Sequence, residues 1–261
     1  MAIRPRRYEL SDEEWERVEG YLPKREAGTR GRPAKENRQM LNGILWVARS
    51  GAAWRDLPER YGPWETVYKR FAKWQEAGIF EQVFETLAIE ADLQDMSMDG
   101  SSVKVHQSAA GAKKGTGRMP QNQQIGTSRG GKTTKIHAIV DALGNPIKIL
   151  LTPGQQHDST VAEDLMGSVP LEDTIIMADK AYGSKAIRAF IEEHKASFCI
   201  PPKSNEANPW DCDWWQYKER HLVECFFQKI KQFRRVATRY DKLARRFLAF
   251  VHLACILVWL A

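Results

Sequence analysis

Near Asp95 the spacing of apolar residues changes from a helical period to a strand period, and this change divides the chain into two kinds of structure. Before it, Ser11-Asp-Glu-Glu14 is a capping-box pattern ahead of Trp15, Val18 and Leu22, which predicts a helix over about Asp12 to Tyr21. Met40, Leu41, Ile44, Leu45 and Val47 predict a second helix from Asn37 to Arg49, closed by Ser50-Gly51. Val67, Phe71 and Trp74 predict a third from Trp64 to Ala77, and a fourth follows from Ile79 to about Leu93. The third helix carries Lys69, Arg70 and Lys73 on its other side. A basic, amphipathic third helix is what a helix-turn-helix places in the major groove, so residues 1–92 are expected to form an all-helical, helix-turn-helix-like DNA-binding domain that folds alone. A plain helical bundle with a solvated basic face has nearly the same pattern.

Beyond Asp95, Met96, Met98, Val103 and Val105 alternate with polar residues, as in a strand. Gln107 to Gly131 lacks an apolar period and reads as an exposed, mobile loop. Thr134 to Asp141 and Pro146 to Leu151 read as strands joined through the hairpin residues Leu143-Gly-Asn145. A helix capped by Asp158 should reach Met166, followed by a strand at Ile175 to Ala178, a helix at Ser184 to His194 and a strand at Phe198 to Ile200. Long helices are expected over Trp215 to Arg235 and Lys242 to Leu260. The order predicts an α/β domain over residues 93–261, a mixed sheet flanked by helices. Phe247 to Ala261 is apolar but shorter than the ~20 residues that span a bilayer, and it carries His252, so it reads as a buried helix and no membrane partner is expected.

Lys and Arg exceed Asp and Glu by 39 to 33, a formal charge of +6 that suits a polyanionic partner. No acidic residue occurs from Gly100 to Val140, a stretch that includes Lys113, Lys114, Arg129 and Lys132. These four, with Lys69, Arg70 and Lys73, are the expected DNA-contacting residues. The four cysteines form no Cys-x-x-Cys pair and the N-terminus has no apolar signal core, which reads as cytoplasmic with reduced thiols; a zinc site of Cys212, His221 and Cys225 lacks ligand pairs at turn spacing. Gly126-Thr-Ser-Arg-Gly-Gly131-Lys132-Thr133 matches the phosphate-loop expression letter for letter. A phosphate loop needs a buried strand before it and a helix after it; here a polar stretch precedes and an alternating strand follows, so no nucleotide cofactor is expected.

Three carboxylates stand where such a sheet would gather them. Asp99 lies in the first strand, Asp179 ends the strand Ile175-Ile-Met-Ala178, and Glu224 lies on a helix. At about 100° per residue, Tyr217, Arg220, Glu224 and Lys231 share an arc of about 60°, opposite Leu222, Val223, Phe226, Phe227, Ile230 and Phe233. Alone, each Asp would be read as a cap or turn residue and Glu224 as the exposed partner of Arg220. Together they are hard oxygen ligands for two divalent ions, Mg²⁺ or Mn²⁺, of the kind that activate the attacking oxygen and stabilise the leaving oxygen in phosphodiester chemistry. Arg220, Lys231 and Lys180 are placed to neutralise phosphate oxygens.

Tyr217-x2-Arg220-x3-Glu224-x6-Lys231, with Asp179-Lys-Ala-Tyr182, Met98-Asp99-Gly100 and Gly154-Gln-Gln-His-Asp158, resembles the bacterial insertion-sequence transposases of family five. Gly31-Arg-Pro33, Gly51-Ala-Ala-Trp-Arg-Asp-Leu-Pro58 and Gly62-Pro-Trp64 look like the helical domain of that family, so the resemblance covers nearly the whole chain. It implies an RNase H-like catalytic fold, a triad of Asp99, Asp179 and Glu224, and signature residues Tyr217, Arg220 and Lys231. It also implies a bacterial, nucleoid-associated enzyme that binds the element's terminal inverted repeats and target DNA as a homo-oligomer, cleaving and joining strands. A metal nuclease that cuts without joining, or a domesticated DNA-binding protein with a silent triad, would carry the same residues. His157 and Asp158 have no derived role beyond the cap expected of Asp158.

Overall fold

In the computed structural model, which describes residues 6–23, 36–111 and 123–261, the capping box closes in both directions. Ser11 Oγ accepts from the Glu14 amide at 3.1 Å and Glu14 Oε2 accepts from the Ser11 amide at 2.7 Å, starting α1 (Asp12–Glu19). Helix α2 (Asn37–Ser50) ends at Gly51, whose left-handed φ of 72° suits glycine. Two short 3-10 turns, Trp54–Asp56 and Glu59–Tyr61, fill the connection to α3 (Trp64–Glu76), which is longer than the turn of a tight helix-turn-helix. Val67, Phe71 and Trp74 are buried as the spacing predicted. Helix α4 (Ile79–Leu87) is shorter than expected: the backbone tightens to a 3-10 turn at Ala88–Glu90, and Ile89 points outward at 81% exposure.

Strand β1 (Asp95–Val105) is the centre of the mixed sheet. On one side it pairs antiparallel with β3 (Gly131–Val140), Met98 opposite Ile139 and Gly100 opposite His137. A four-residue helix, α5 (Gln107–Ala110), and β2 (Gly126–Ser128) lie within the stretch expected to be a loop. Strands β2 and β4 (Pro146–Pro153) both pair antiparallel with β3. The β3–β4 turn is held by Asp141 Oδ1, which accepts from the Leu143 and Asn145 amides at 2.9 and 2.7 Å. On its other side β1 pairs parallel first with β5 (Ile175–Met177) and, at its far end, with β7 (Thr238–Arg239); β5 in turn pairs parallel with β6 (Ser197–Cys199).

Helices α6 (Ala162–Met166) and α7 (Lys185–Glu193) share a core with Met96, Met98, Ile139 and Ile176. The opposite face, with Val103, Ile136, Ala138 and Val140, is covered by α8 (His221–Lys231), α9 (Arg234–Ala237) and α10 (Ala244–Leu260). This is the α/β architecture expected of an RNase H-like fold. The helix expected over Trp215 to Arg235 is in fact three pieces: a 3-10 turn at Gln216–Arg220, α8, and α9 beyond an extended Phe233. The buried residues of the N-terminal helices belong to the same core as those of α8–α10, with Phe71 stacked on Phe250 and Phe84 on His252.

Candidate active site

The register of the sheet sets two carboxylates side by side. The β1–β5 pairing ends at Ser97 opposite Met177; Asp99 is two residues further along β1, and Asp179 is two residues past the end of β5 in extended backbone. A step of two keeps both on one face, and the strands there part at the carboxyl ends, where an open α/β sheet forms its crevice. Asp99 Oδ1 accepts from the Gly100 amide at 2.7 Å; Asp179 Oδ1 accepts from the Ala181 amide at 2.8 Å, capping the 3-10 turn Lys180–Tyr182. Asp179 is thus both a cap and a member of the site. Burial pushes the Asp99 carboxyl above its usual range, against the pull of the Gly100 amide and Arg220, and the charges of Asp179 and Asp158 add to the rise.

Between the β5 and β7 pairings β1 has an open edge, and the segment containing α8 reaches across to its odd-numbered face. Arg220 Nη1 lies 3.3 Å from Asp99 Oδ2, while its Nη2 bonds Glu224 Oε1. Lys231 Nζ donates to Ser101 Oγ at 2.5 Å, and burial pulls its ammonium pKa down. The Tyr217 ring lies 5.8 Å from the Arg220 guanidinium. The signature face therefore meets the strand even though Tyr217 and Arg220 stand on a 3-10 turn. Val223, Phe226, Phe227, Ile230 and Phe233 are buried on the opposite side. Glu224 is 51% exposed, but its partner Arg220 is only 18% exposed and also holds Asp99, so the pair is more than a surface contact. Lys180 is exposed beside Asp179.

Asp158 does not cap a helix. His157 takes that place, its Nδ1 accepting from the Ser159 amide, and the turn Asp158–Val161 precedes α6. The Asp158 carboxylate turns back onto the sheet, with Oδ1 2.9 Å from Lys135 Nζ and 3.5 Å from Nδ1 of the fully buried His137. Burial lowers the His137 pKa to about 4, so this ring is neutral near pH 7 and the ion pair is with Lys135. The one sequence signal for this contact is Gly100: glycine within a strand marks a close approach.

Lys69 and Lys73 are exposed on α3, while Arg70 is partly buried and donates to Asn37 Oδ1 at 2.6 Å. Arg129 and Lys132 are exposed on the β2–β3 hairpin, and Lys113 and Lys114 lie outside the described residues. That hairpin also settles the phosphate-loop pattern, since β3 follows it directly and no helix does. Cys212 stands 3.8 Å from Cys199, both as free thiols. No helix among the described residues is long and apolar enough to cross a membrane.

Among the described residues no three Asp, Glu, His or Cys side chains are gathered to the spacing of one bound ion. The donors are nevertheless hard carboxylates, and a cation, Arg220, already stands between Asp99 and Glu224. The set fits a divalent ion in kind and in charge, and Asp99, Asp179 and Glu224 are the residues that would hold it.

Residues 10–84 match the family described as "Putative transposase of IS4/5 family (DUF4096)", and residues 90–209 and 176–261 match two families described as "Transposase DDE domain". A Brucella ovis protein named "Putative transposase for insertion sequence element IS6501" is 43% identical over 129 residues, covering 49% of this chain and 98% of that protein. An IS402 protein from Burkholderia cepacia is 34% identical over 122 residues, covering 42% of this chain and 80% of its own length. Among solved structures, the piggyBac transposase in a synaptic complex with hairpin DNA matches with a TM-score of 0.57 over 94% of this chain and 69% of that one; at 12% identity this is a likeness of fold.

Proposed function

This chain belongs to the insertion-sequence DDE transposases of the IS4/5 group, and on that premise we propose that Asp99, Asp179 and Glu224 are its catalytic triad. The observation that carries the assignment is the matched register of Asp99 and Asp179 together with the single guanidinium that joins Asp99 to Glu224. The three carboxylates would hold two divalent ions, Mg²⁺ or Mn²⁺, which when bound activate the attacking oxygen and stabilise the leaving 3′ oxygen of a phosphodiester.

The protein's own groups do the rest. Gly100 and Ala181 amides fix one oxygen of each aspartate, and the other oxygen of Asp99 faces Arg220. Arg220, released from the carboxylates, reaches a phosphate oxygen with its planar fork, backed by the Tyr217 ring. Lys231 and Lys180 add positive charge on either side of the scissile phosphate as its own charge builds. DNA contact falls to Lys69, Arg70 and Lys73 on α3 and to the Lys113, Lys114, Arg129 and Lys132 stretch, whose charge binds phosphates. The bound DNA would be the element's terminal inverted repeats and the target, with a homo-oligomer bridging the two ends.

The test is labelled terminal-repeat DNA incubated with the full chain in Mg²⁺ or Mn²⁺, beside Asp99→Asn, Asp179→Asn and Glu224→Gln, each checked for folding. The parent should give joined product, and the three variants should bind DNA without cutting it. Cut but unjoined product would identify a nuclease, and a shifted but intact band a DNA-binding protein with a silent site. A Glu224→Gln protein that cuts at the parent rate would remove Glu224 from the triad.

A further inference from the structure

Asp158 lies on the side of β1 opposite Glu224. Odd-numbered β1 residues such as Asp99 and Ser101 face α8, whereas Gly100 and its partner His137 face the layer of α6. Two side chains hold Asp158 there, the Lys135 ammonium at 2.9 Å and His137 Nδ1 at 3.5 Å, and its carboxylate lies over Gly100. A Cβ added to Gly100 would stand 2.5 Å from Asp158 Oδ1, so the carboxylate rests where any other residue would place its side chain. The Gly100 amide, in turn, is the donor that holds Asp99 Oδ1. Lys135 thus holds Asp158 against the side-chain space of Gly100, whose amide holds Asp99, the first carboxylate of the proposed triad.

We propose that Asp158 is a positioning residue of the active site, one that holds the Gly100 peptide from behind and thereby aims the Asp99 carboxylate at the metal. This rests on the triad reading given above. Lys135 is itself braced, donating to the Gln156 carbonyl at 2.9 Å, and His137 is braced by Thr152 Oγ1 at 2.8 Å from its Nε2, so the support under Asp158 is rigid. Tyr182 gives an independent sign that Asp158 is near the chemistry. Its buried hydroxyl has no hydrogen-bond partner among the described residues; burial raises its pKa, the charges of Asp158, Asp99 and Asp179 add to the rise, and Arg220 opposes it. Groups that orient a metal-binding carboxylate typically contribute about 10- to 100-fold in metal affinity.

The experiment is Mn²⁺ titration of the full chain by calorimetry, without DNA, for Asp158→Ala, Asp158→Asn, Gly100→Ala, the double variant Gly100→Ala/Asp158→Ala, and Asp99→Asn as reference. Asp158→Ala should weaken Mn²⁺ binding about tenfold. Gly100→Ala should weaken it at least as much, and the double variant should bind no worse than Asp158→Ala, because removing the carboxylate makes room for the new methyl group. If Asp158→Ala fails to fold, Asp158→Asn, which keeps the shape and loses the Lys135 charge pair, gives the decisive reading and should also bind Mn²⁺ more weakly. Parent-like Mn²⁺ affinity in the folded Asp158 variant, with only a lower melting temperature, makes Asp158 a strut and overturns the proposal. Fully additive losses in the double variant also overturn it. If Asp99→Asn itself binds Mn²⁺ like the parent, the triad reading fails, an outcome distinct from a loss confined to the Asp158 inference.

Discussion

The Arg220 guanidinium contacts Asp99 and Glu224 at once. In the proposed triad it would compete with a divalent ion for those two carboxylates. Arg220→Gln removes the competitor and one positive charge, and Mn²⁺ should then bind about tenfold more tightly, a change of about 1.4 kcal/mol. Cleavage should nevertheless fall by roughly 10²- to 10³-fold, because the phosphate loses its planar donor. Tighter Mn²⁺ binding with slower cutting is the signature; an unchanged dissociation constant would show that Arg220 does not stand in the ion's place. The places of Asp99 in a strand, of Asp179 just past a strand and of Glu224 on a helix face were legible in the sequence because strands and helix faces follow from periodicity. Asp158 was misread as a cap, since an Asp before a helical pattern looks the same whether it turns to its own amides or to a neighbouring strand. Only the strand glycine opposite it, Gly100, hinted at the difference.

At the scale of elements, ends are clear where a residue supplies a physical stop. Ser11 with Glu14 and Ser184 with the Ile187 amide start α1 and α7, and Gly51 ends α2. Gly51 is also pressed against α9: a Cβ there would stand 2.6 Å from Arg234 Cβ, in addition to the strain of φ at 72°. Gly51→Ala should therefore cost about 1–3 kcal/mol of stability, measured by urea unfolding, with no change in the cooperativity of the transition. A loss below about 0.5 kcal/mol would mean that α9 gives way freely. The break between α8 and α9 had no such marker. The apolar spacing continues into Phe233, which is buried, but there the backbone is extended and the ring packs against Arg49 of α2, whose guanidinium lies 3.6 Å from it. No local pattern announces a contact made by residues so far apart in sequence.

In the whole molecule, α10 is the element that binds the helical part to the sheet. His252 on α10 stacks on Phe84 of α4 at 5.3 Å, and burial lowers its pKa to about 3 from an ordinary 6.5. The unfolded chain takes up this proton first, so the stability His252 contributes is fully present above pH 6.5 and is lost as pH falls from 6.5 towards 3. His252→Gln should flatten the fall in unfolding free energy between pH 7 and 4, and a slope equal to the parent's would rule His252 out as its source. The same packing bears on whether residues 1–92 fold alone, as helical periodicity suggested. Periodicity shows that a helix has an apolar face, but not which partner covers it. Here the partner is α10: Phe71 stacks on Phe250 at 4.6 Å, Ile79, Phe80, Val83 and Phe84 lie in one core with Phe250, Val251 and Leu253, and Arg17 of α1 donates to the Trp259 carbonyl at 3.0 Å. Cutting after residue 92 would expose Phe71, Ile79, Val83 and Phe84, each worth about 1.5–3 kcal/mol when fully buried. Their sum rivals the whole stability of an ordinary domain, about 5–15 kcal/mol. A fragment of residues 1–92 should therefore show helical circular dichroism at most, with poorly dispersed amide resonances and no cooperative melt. Supplying residues 221–261 in trans should restore dispersion, whereas a fragment that melts cooperatively by itself would show that α1–α4 need no partner.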